Sequence, residues 1–597
     1  MASWFTGWNP IKYFPDYNGP YDVGTVDVEV PAADLPSPAE APEDAQATVA
    51  FRMFYPCVKP ANNEVDRPVR WIPSPQKATI ASFAKFLGVR DTVAKGIAYL
   101  PQQLYYIKLP AHRNAKLLDP PTRSGRWPVT VFSHGLAGSR NAYSQICGDM
   151  ASHGMIVIAL DHRDGSSPIQ YVRATSNTEA HIINPVKISH SPITDEVYEG
   201  RDKQLRIRLW EICMAYETLT KIDAGHNIEN LDSNTSRLRE ERMEVLWQFN
   251  DMLDIHRPGR VSWAGHSFGA ATTVQLLKSI YYYKEQPEGG KPLIRPNADA
   301  AIIQQIVPES PTLLLDMWGL PLQSPFQKFL WDKPLPSYAI GGPNGANVIS
   351  VLSEAFHNWE DNLNVNKLVI AAPSLSRRPS VAPRLTREKG KLLPTFARLR
   401  APSPSSDSGY VSETSRSSPR SLTRQISRGS FRTTPSQTSS SQRDTPDGRA
   451  PTDRTPGPHM FYAVMSQHFS QSDFGVLFPW IAQKVTKAEE PERVLQLNTR
   501  AMVQVLREAG IEVGGEHDKA ILQKDAGVRR WTPIPVEDEV TEATRPGALS
   551  EVNRKLSVTS TRSTASASAR DGMTMGQKME AQMNNHRAVE AQLEQPI

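Results

Sequence analysis

One serine in this chain stands where it could act as a nucleophile. Ser267 lies within Gly265-His266-Ser267-Phe268-Gly269, between an apolar run typical of a strand and a segment with the apolar period of a helix. A Gly-x-Ser-x-Gly sequence at such a joint forms a tight turn that exposes the hydroxyl, and its glycines let strand and helix approach closely. The chemistry predicted is acyl transfer through Ser267, and an ordinary tight turn is the alternative.

A serine nucleophile needs a histidine base and an acid that orients the base, and after such a turn these follow in the order acid, then histidine. Asp316 directly ends the apolar run of residues 311–315 and is favoured over Asp332, which stands beside a lysine in a proline-rich loop. The candidate bases are His357, His459, His468, His517 and His586. We favour His468, which lies in a polar turn before an apolar helix, and its main rival is His459.

The oxyanion of an acyl-transfer intermediate needs two backbone N–H donors. One is the amide of the residue after the nucleophile, Phe268. The other belongs to a loop that ends an earlier strand, and His134-Gly135-Leu136 has that place after the apolar run ending at residue 133. We choose the Leu136 amide and expect a structural role for His134, because His134 precedes the serine.

Alternating strand and helix patterns must position these residues. Predicted strands cover residues 127–133, 155–161, 260–265, 311–318 and 336–342; predicted helices cover 142–154, 200–222, 234–256 and the segment after Ser267. Apolar strands separated by helices indicate an α/β fold with a mostly parallel central sheet and helices on both faces. The catalytic core predicted from this pattern covers about 120–372 and 458–490.

Composition divides the chain. Residues 374–457 are rich in Ser, Pro, Thr and Arg and hold 16 Lys and Arg against 6 Asp and Glu, a net charge of +10. Such a segment cannot bury enough apolar surface to offset its ordering entropy, which predicts disorder. We predict a catalytic domain over 1–373 and 458–534, interrupted by this insert, with C-terminal helices in the second part and a disordered tail over 535–597.

Charge and cysteine usage exclude several classes. The net charge of +4 over 597 residues does not indicate a nucleic-acid partner. Cys57, Cys147 and Cys213 are an odd number and widely spaced, which predicts neither a disulfide framework nor a metal cluster. We expect no metal and no cofactor. Without a recognisable signal peptide or an apolar run of about 18 residues, the expected location is cytoplasmic, with peripheral membrane contact as a variant.

Several blocks of the chain together suggest a family: GPYDVGTVDVEV, FRMFYPC, WIPSPQ, FAKFLG, FSHGLAGSR, ASHGMIVIALDHRDGS, HSFGAAT, LLLDMWGLPL and SQHFSQSDF. In this order they resemble the platelet-activating factor acetylhydrolase family, serine-dependent phospholipases of the α/β-hydrolase fold. The resemblance implies Ser267 as nucleophile, Asp316 as acid, His468 as base, and the Leu136 and Phe268 amides as oxyanion donors. It implies a glycerophospholipid substrate with a short or oxidised acyl chain at its second position.

Two departures from the family pattern concern substrate access. They are the basic insert and an expanded stretch at residues 281–310. The alternatives to a phospholipid esterase are a cutinase-like polyester esterase or general carboxylesterase, and a non-catalytic interaction protein that acts through the insert.

Partner hypotheses concern membranes and kinases. The apolar residues of segment 78–109 have helical spacing with basic residues between them, which suits either core packing or a lipid surface. Basic residues precede Ser380, Ser427 and Ser557 in the pattern of a basophilic kinase site. Phosphates in the insert would reduce its positive charge and its attraction to anionic lipid.

Overall fold

The computed structural model describes residues 13–61, 68–86, 95–96, 103–190, 192–373 and 454–536. The segments predicted to be disordered fall almost wholly outside these ranges, as do the predicted kinase sites Ser380, Ser427 and Ser557. The division into domains therefore stays a prediction.

A large, mostly parallel sheet organises the described chain. The strands are β1 Val23–Pro31, β2 Thr48–Pro56, β3 Pro68–Arg70, β4 Lys108–Arg113, β5 Val129–Ser133, β6 Ile156–Leu160, β7 Gln170–Val172, β8 His181–Ile183, β9 Val261–His266, β10 Thr312–Leu315, β11 Val348–Ser353, β12 His459–Ala463 and β13 Trp531–Pro533. Eleven of them form one sheet in the order β13-β12-β11-β10-β9-β5-β6-β2-β1-β4-β3, while β7 and β8 pair separately. The run from β12 to β6 is parallel throughout.

Alternate residues of the central strands face two separate apolar layers. In β6, Ile156 and Ile158 belong to the layer on one face, whereas Val157 belongs to the other. In β10, Leu314 and Leu313 divide in the same way. Both faces are buried, which explains why these strands are continuous apolar runs in the sequence.

Helices cover both faces. They are α1 Gln76–Phe86, α2 Ser144–Ser152, α3 Asp195–Asp223, α4 Arg239–Trp247, α5 Phe268–Tyr281, α6 Ile302–Gln305, α7 Lys328–Asp332, α8 Glu354–His357, α9 Glu360–Ile370, α10 Asp473–Leu477, α11 Pro479–Thr486 and α12 Pro491–Glu508. Helices α3 and α5 contribute side chains to one apolar layer, and α2 and α12 contribute to the other. The predicted α/β architecture is confirmed.

Some predicted elements differ from the structure. Residues 336–342 form no strand: Pro336–Tyr338 is a short 3-10 helix, because proline fixes φ and lacks the N–H that a sheet needs. The strand in this region is β11, which the pattern did not identify. The helix predicted over 234–256 is only α4, and the turns after it include Asp251 at a φ of 59°. The sheet also includes β1 to β4, so the predicted start of the catalytic core near residue 120 was wrong.

The apolar segment at residues 78–109 is described only in part. Ile80 of α1 is buried, and the ring of Phe83 lies 6.0 Å from that of Phe474. These contacts favour core packing for this part of α1. Among the helices that the structure describes, none has the length and hydropathy to cross a bilayer.

Candidate active site

Ser267 occupies the sharp turn between β9 and α5. Its backbone adopts φ 57° and ψ −116°, a strained conformation for a residue with a side chain. The Ser267 N–H donates to Leu315 O at 2.8 Å, and the Trp318 N–H donates to Ser267 O at 3.2 Å. Strand β10 and the residues after it therefore hold the strained turn in place.

The two glycines of this turn are required by close backbone approach. A Cβ on Gly265 would lie 2.4 Å from the Gly269 backbone, and a Cβ on Gly269 would lie 1.9 Å from Ser133 O. Neither position can carry a side chain unless the backbone shifts. The Gly-x-Ser-x-Gly spacing thus reflects the point where β5, β9 and α5 meet.

Asp316 and His468 reach Ser267 from two other strands of the same sheet. Asp316 follows β10 and is fully buried, and its Oδ2 accepts a hydrogen bond from His468 Nδ1 at 2.9 Å. His468 begins a 3-10 helix after β12, and its Nε2 lies 2.9 Å from Ser267 Oγ. The three side chains form a continuous Ser–His–Asp hydrogen-bonded chain with the geometry that activates a serine.

Burial dominates the electrostatics of these residues. The second carboxylate oxygen of Asp316 accepts a hydrogen bond from the Ser353 N–H. Burial raises the pKa of Asp316 and lowers the pKa of His468, because a low dielectric disfavours the charged form of each group. His468 is consequently neutral at physiological pH, which is the state a general base needs.

The ring of His468 lies between two aromatic rings. Phe356 of α8 stacks on it at a centroid distance of 4.2 Å and an angle of 3°, and His266 stacks at 4.4 Å and 30°. Burial, and then the neighbouring His468, lowers the pKa of His266 to about 3. His266 therefore stays neutral and does not oppose a positive charge on His468.

Tyr143 links this ring stack to the oxyanion loop, residues 134–136. The Gly135 N–H donates to Tyr143 Oη at 3.1 Å, and Tyr143 Oη lies 2.8 Å from His266 Nδ1. Because the hydroxyl oxygen accepts from Gly135, its proton is available for His266. This bond also removes the Gly135 amide from the possible oxyanion donors.

The amides of Leu136 and Phe268 remain as candidate donors. Neither has a backbone or side-chain acceptor within the part of the chain that the structure describes. A Cβ on Gly135 would lie 3.0 Å from Ser267 Cβ, so the oxyanion loop runs directly beside the nucleophile. Phe268 is the first residue of α5, and its N–H lies at the positive end of the helix dipole.

The rival candidates lie elsewhere. Asp332 ends α7 and pairs with Lys328. His459 starts β12, and its Nε2 bonds to Ala346 O at 3.3 Å. His134 is buried, and its Nδ1 donates to its neighbour's carbonyl. His357 stacks on Tyr462, His517 lies in the loop after α12, and His586 is outside the described residues.

Three contributors to the site were not predicted. His266 was visible beside the serine, but the turn motif assigns no role to that position. Tyr143 and Phe356 are distant from His468 in the chain, so no local pattern could pair them with it. The only available signal was the presence of a histidine inside the nucleophile turn.

Three residues of the site carry atoms that could also bind a metal. Donor atoms of His266, Asp316 and His468 lie within 4.8 Å of one another. However, His468 and Asp316 already bond to each other, and His266 Nδ1 bonds to Tyr143. The arrangement suits proton transfer, and turnover in excess chelator would test the expectation that no metal is needed. The three cysteines are buried free thiols.

Fold and site together define an α/β-hydrolase: a parallel sheet with a serine on a strained strand-to-helix turn and an acid and a histidine after later strands. The model of the family "Platelet-activating factor acetylhydrolase, isoform II" matches residues 6–328, more than half of the chain. The chain belongs to this family, and the resemblance predicted from its sequence is confirmed.

Relatives of known name match part of the chain. A protein of Schizosaccharomyces pombe named "Putative phospholipase A2" is 32% identical over 46% of this chain and 62% of its own length. The platelet-activating factor acetylhydrolases of Cavia porcellus and Bos taurus are 31% and 29% identical, each over 44% of this chain and over 52% and 51% of their own lengths. The chain thus spans between half and two thirds of these relatives.

One solved structure is similar in outline. A ferulic acid esterase from Streptomyces cinnamoneus superposes with a TM-score of 0.37 at 14% identity, covering 87% of this chain and 98% of that one. A TM-score this low supports no further conclusion.

Proposed function

We propose that this protein is a serine esterase that cleaves the short or oxidised acyl ester, such as acetyl, at the second position of a glycerophospholipid. The observation that carries the proposal is the hydrogen-bonded chain from Ser267 Oγ through His468 to the buried carboxylate of Asp316. The names of the relatives, acetylhydrolase and phospholipase A2, support a phospholipid ester as substrate.

Acylation uses the three triad residues and the two candidate oxyanion amides. Ser267 Oγ attacks the ester carbonyl while His468 Nε2 accepts the hydroxyl proton. The amides of Leu136 and Phe268 donate to the oxyanion of the tetrahedral intermediate. When the intermediate collapses, His468 returns the proton to the departing glycerol oxygen, and the acyl group remains on Ser267.

Deacylation repeats the sequence with water. His468 accepts a proton from water, which attacks the acyl ester, and then returns that proton to Ser267 Oγ as the free acid leaves. In each half-reaction an imidazolium forms briefly on His468. The Asp316 carboxylate is its counter-charge, and the stacked face of Phe356 adds a cation–π attraction.

Active-site labelling tests the proposal. A fluorophosphonate probe should label the wild-type protein at Ser267 and leave Ser267→Ala unlabelled. Ser267→Ala should lose esterase turnover by a factor of about 10³ or more, with Asp316→Asn and His468→Ala comparably impaired. Asp332→Asn and His459→Ala are the matched controls and should retain turnover. A folded Ser267→Ala protein with wild-type turnover would end the proposal.

A substrate panel separates the alternatives. Release of acetate from a 2-acetyl glycerophospholipid, in preference to hydrolysis of long neutral esters or polyesters, is expected. The reverse preference would indicate a cutinase-like or general carboxylesterase. Absence of labelling at Ser267 in folded protein would favour a non-catalytic interaction protein.

A further inference from the structure

Arg201, in the second turn of α3, is a buried cation beside the nucleophile turn. The residue is 3% exposed. Its guanidinium carbon lies 5.7 Å from the ring centroid of Phe268 and 5.3 Å from that of Trp318. Phe268 follows Ser267 in the chain, and the Trp318 amide donates to Ser267 O. Arg201 is therefore separated from the reacting serine by about one layer of side chains.

No carboxylate pairs with Arg201 within the described residues. Its two terminal nitrogens donate to Gln204 and to His190 Nε2, both uncharged acceptors. Its Nε is buried and has no partner. The adjacent carboxylate, Asp202, accepts hydrogen bonds from two residues that follow β10 instead.

The hydrogen-bond partners of Arg201 do not offset its charge, and a second buried cation on the same helix has its own partner. Arg208, two turns further along α3, forms an ion pair with Asp164 at 2.6 Å, and that pair is neutral overall. Burial lowers the pKa of His190 to about 4 and that of Arg201 to about 10. At physiological pH His190 is neutral and Arg201 is charged, so neither hydrogen-bond partner of Arg201 offsets its charge. A buried charge is costly unless an anion pairs with it.

We propose that Arg201 binds the phosphodiester of the glycerophospholipid whose second-position ester reaches Ser267. This inference rests on the proposed function. The phosphate of such a lipid lies only a few covalent bonds from the ester carbonyl, and Arg201 lies over the ring of Phe268, whose amide is a candidate oxyanion donor. A phosphodiester carries the negative charge that Arg201 lacks in a partner, since its hydrogen-bond acceptors are uncharged and its Nε has none.

The geometry of the guanidinium supports this assignment. The unpartnered Nε and the Nη2 bonded to His190 form one edge of the guanidinium fork, which suits two oxygens of a phosphate. Arg52 uses the same Nε and Nη2 edge to hold the carboxylate of Asp27. His190 is half-buried and its ring lies against Trp318 at 5.0 Å, so it covers this edge from the more exposed side. An arriving phosphate replaces His190 as the Nη2 partner.

Competition in the wild-type full chain tests the inference without phospholipid turnover. The reporter is hydrolysis of p-nitrophenyl butyrate, an uncharged ester. A short-chain diether glycerophosphocholine, which has the phosphodiester but no ester, should inhibit competitively. The matching diether glycerol, which lacks the phosphate, should inhibit at least about tenfold more weakly. Equal inhibition by the two ethers overturns the inference. Inorganic phosphate is the second comparison. If it inhibits as well as the diether phospholipid does, the site binds free phosphate and the inference is also overturned.

Variants then assign the effect to Arg201. Arg201→Gln should lower kcat/KM for a 2-acetyl glycerophospholipid by about tenfold to a hundredfold, mainly through KM, and change that for the neutral ester by less than about twofold. Arg201→Lys should recover part of the loss. Arg206→Gln, which removes the same charge from a half-buried ion pair with Glu199 on the same helix, is the matched control.

The outcomes separate this inference from the proposed function. An equal loss on both substrates indicates a structural role for Arg201 and overturns the inference, as does no loss on either. If Arg201→Gln does not fold, the wild-type competition decides. A protein that hydrolyses neutral esters but no phospholipid contradicts the proposed function, whereas competition by the diether phospholipid still reports on the Arg201 site.

Discussion

Tyr143 joins two parts of the site through one hydroxyl. Its oxygen accepts from Gly135 in the oxyanion loop, and its proton reaches His266, which stacks on the base. Tyr143 thus helps to fix the distance between the candidate oxyanion donors and His468, although it is not expected to touch the substrate. Loss of this hydroxyl should affect the transition state more than substrate binding.

Tyr143→Phe tests this positioning role. The change leaves the Gly135 amide and His266 Nδ1 without their partner and loosens the loop that carries the Leu136 amide. We expect kcat to fall about tenfold to a hundredfold with KM changed by less than about twofold. Tyr216→Phe is the control, because it also removes a buried hydroxyl bond, to Ile255 O at 2.7 Å, away from the site. Similar kcat losses in the two variants would contradict a specific role for Tyr143.

The pH dependence of turnover follows from the burial of His468. The base must be neutral to accept a proton, so kcat/KM is lost as pH falls through its pKa. Burial lowers that pKa from the ordinary value of 6.5, so the acidic limb of the kcat/KM profile should lie below pH 6.5. A profile on a neutral ester, measured where the fold is stable, checks this, and a limb at or above pH 6.5 would show that burial does not govern His468.

The sequence predicted those residues of the site whose positions follow from a local pattern, and it missed those whose roles depend on contacts between distant segments. Ser267 and Asp316 each directly follow a strand, and Leu136 lies in the loop after β5; a strand end is readable from the apolar run before it. His468 could only be favoured over His459, because a polar turn is a weaker signal. Arg201, Tyr143 and Phe356 were missed, since their roles depend on contacts between segments that are far apart in the chain.

At the scale of elements, a chain of hydrogen bonds through His162 to Glu211 holds the end of β5 in place just before the oxyanion loop. Ser133 Oγ lies 2.8 Å from His162 Nε2, and His162 Nδ1 lies 2.8 Å from Glu211 Oε2 on α3. This second Ser–His–Glu chain is wholly buried, so it has no access to a substrate. Its effect is to fix β5 against α3 immediately before the oxyanion loop begins.

Of the contacts in the site, the one between β5 and α5 leaves the least room for an added side chain. Gly269→Ala would place a methyl group 1.9 Å from Ser133 O, and a backbone oxygen cannot move aside as a flexible side chain can. We expect a loss of unfolding free energy of at least about 3 kcal/mol, together with loss of turnover. Gly290→Ala, where a Cβ would meet nothing within 4 Å, is the control for thermal unfolding. Equal melting temperatures for the two variants would contradict this account of the turn.

Element prediction from the sequence succeeded for central strands and failed at irregular positions. β5, β6, β9 and β10 are buried on both faces, so their apolar runs are unambiguous. β11 was missed, although its β-branched residues are typical of a strand, because the predicted strand over 336–342 was assigned to that position. The end of α4 was misplaced, since the turns around Asp251 interrupt a pattern that otherwise looks helical.

For the whole molecule, charge is divided unevenly along the chain. The segment 374–457 carries a net +10 while the whole chain carries +4, which leaves −6 on the remainder. A basic segment gains about 1 kcal/mol for each Lys or Arg near an anionic membrane. We therefore propose that the basic segment brings the remainder of the chain, whose net charge is negative, to an anionic lipid surface.

Replacing residues 376–453 by a short glycine–serine linker tests this division of roles. Turnover on soluble short-chain esters should be unchanged, because Ser267, Asp316 and His468 all lie outside the deleted range. Binding to vesicles that contain anionic lipid should weaken, most of all at low ionic strength. Sedimentation with such vesicles measures the difference, and equal binding of the two proteins at low salt would show that the insert is not a membrane tether.

The parallel pairing of β11 with β12 has a further consequence. Its register joins Ile349 to His459 across the insert, so the nucleophile and acid belong to the chain before residue 374 and the base to the chain after residue 453. The proposed catalytic triad is therefore divided between two parts of the chain, and co-expressed fragments 1–373 and 454–597 should complement each other. Neither fragment alone should turn over ester, and recovered activity would report on their association. This chain would then serve as a split esterase, divided within residues 374–453.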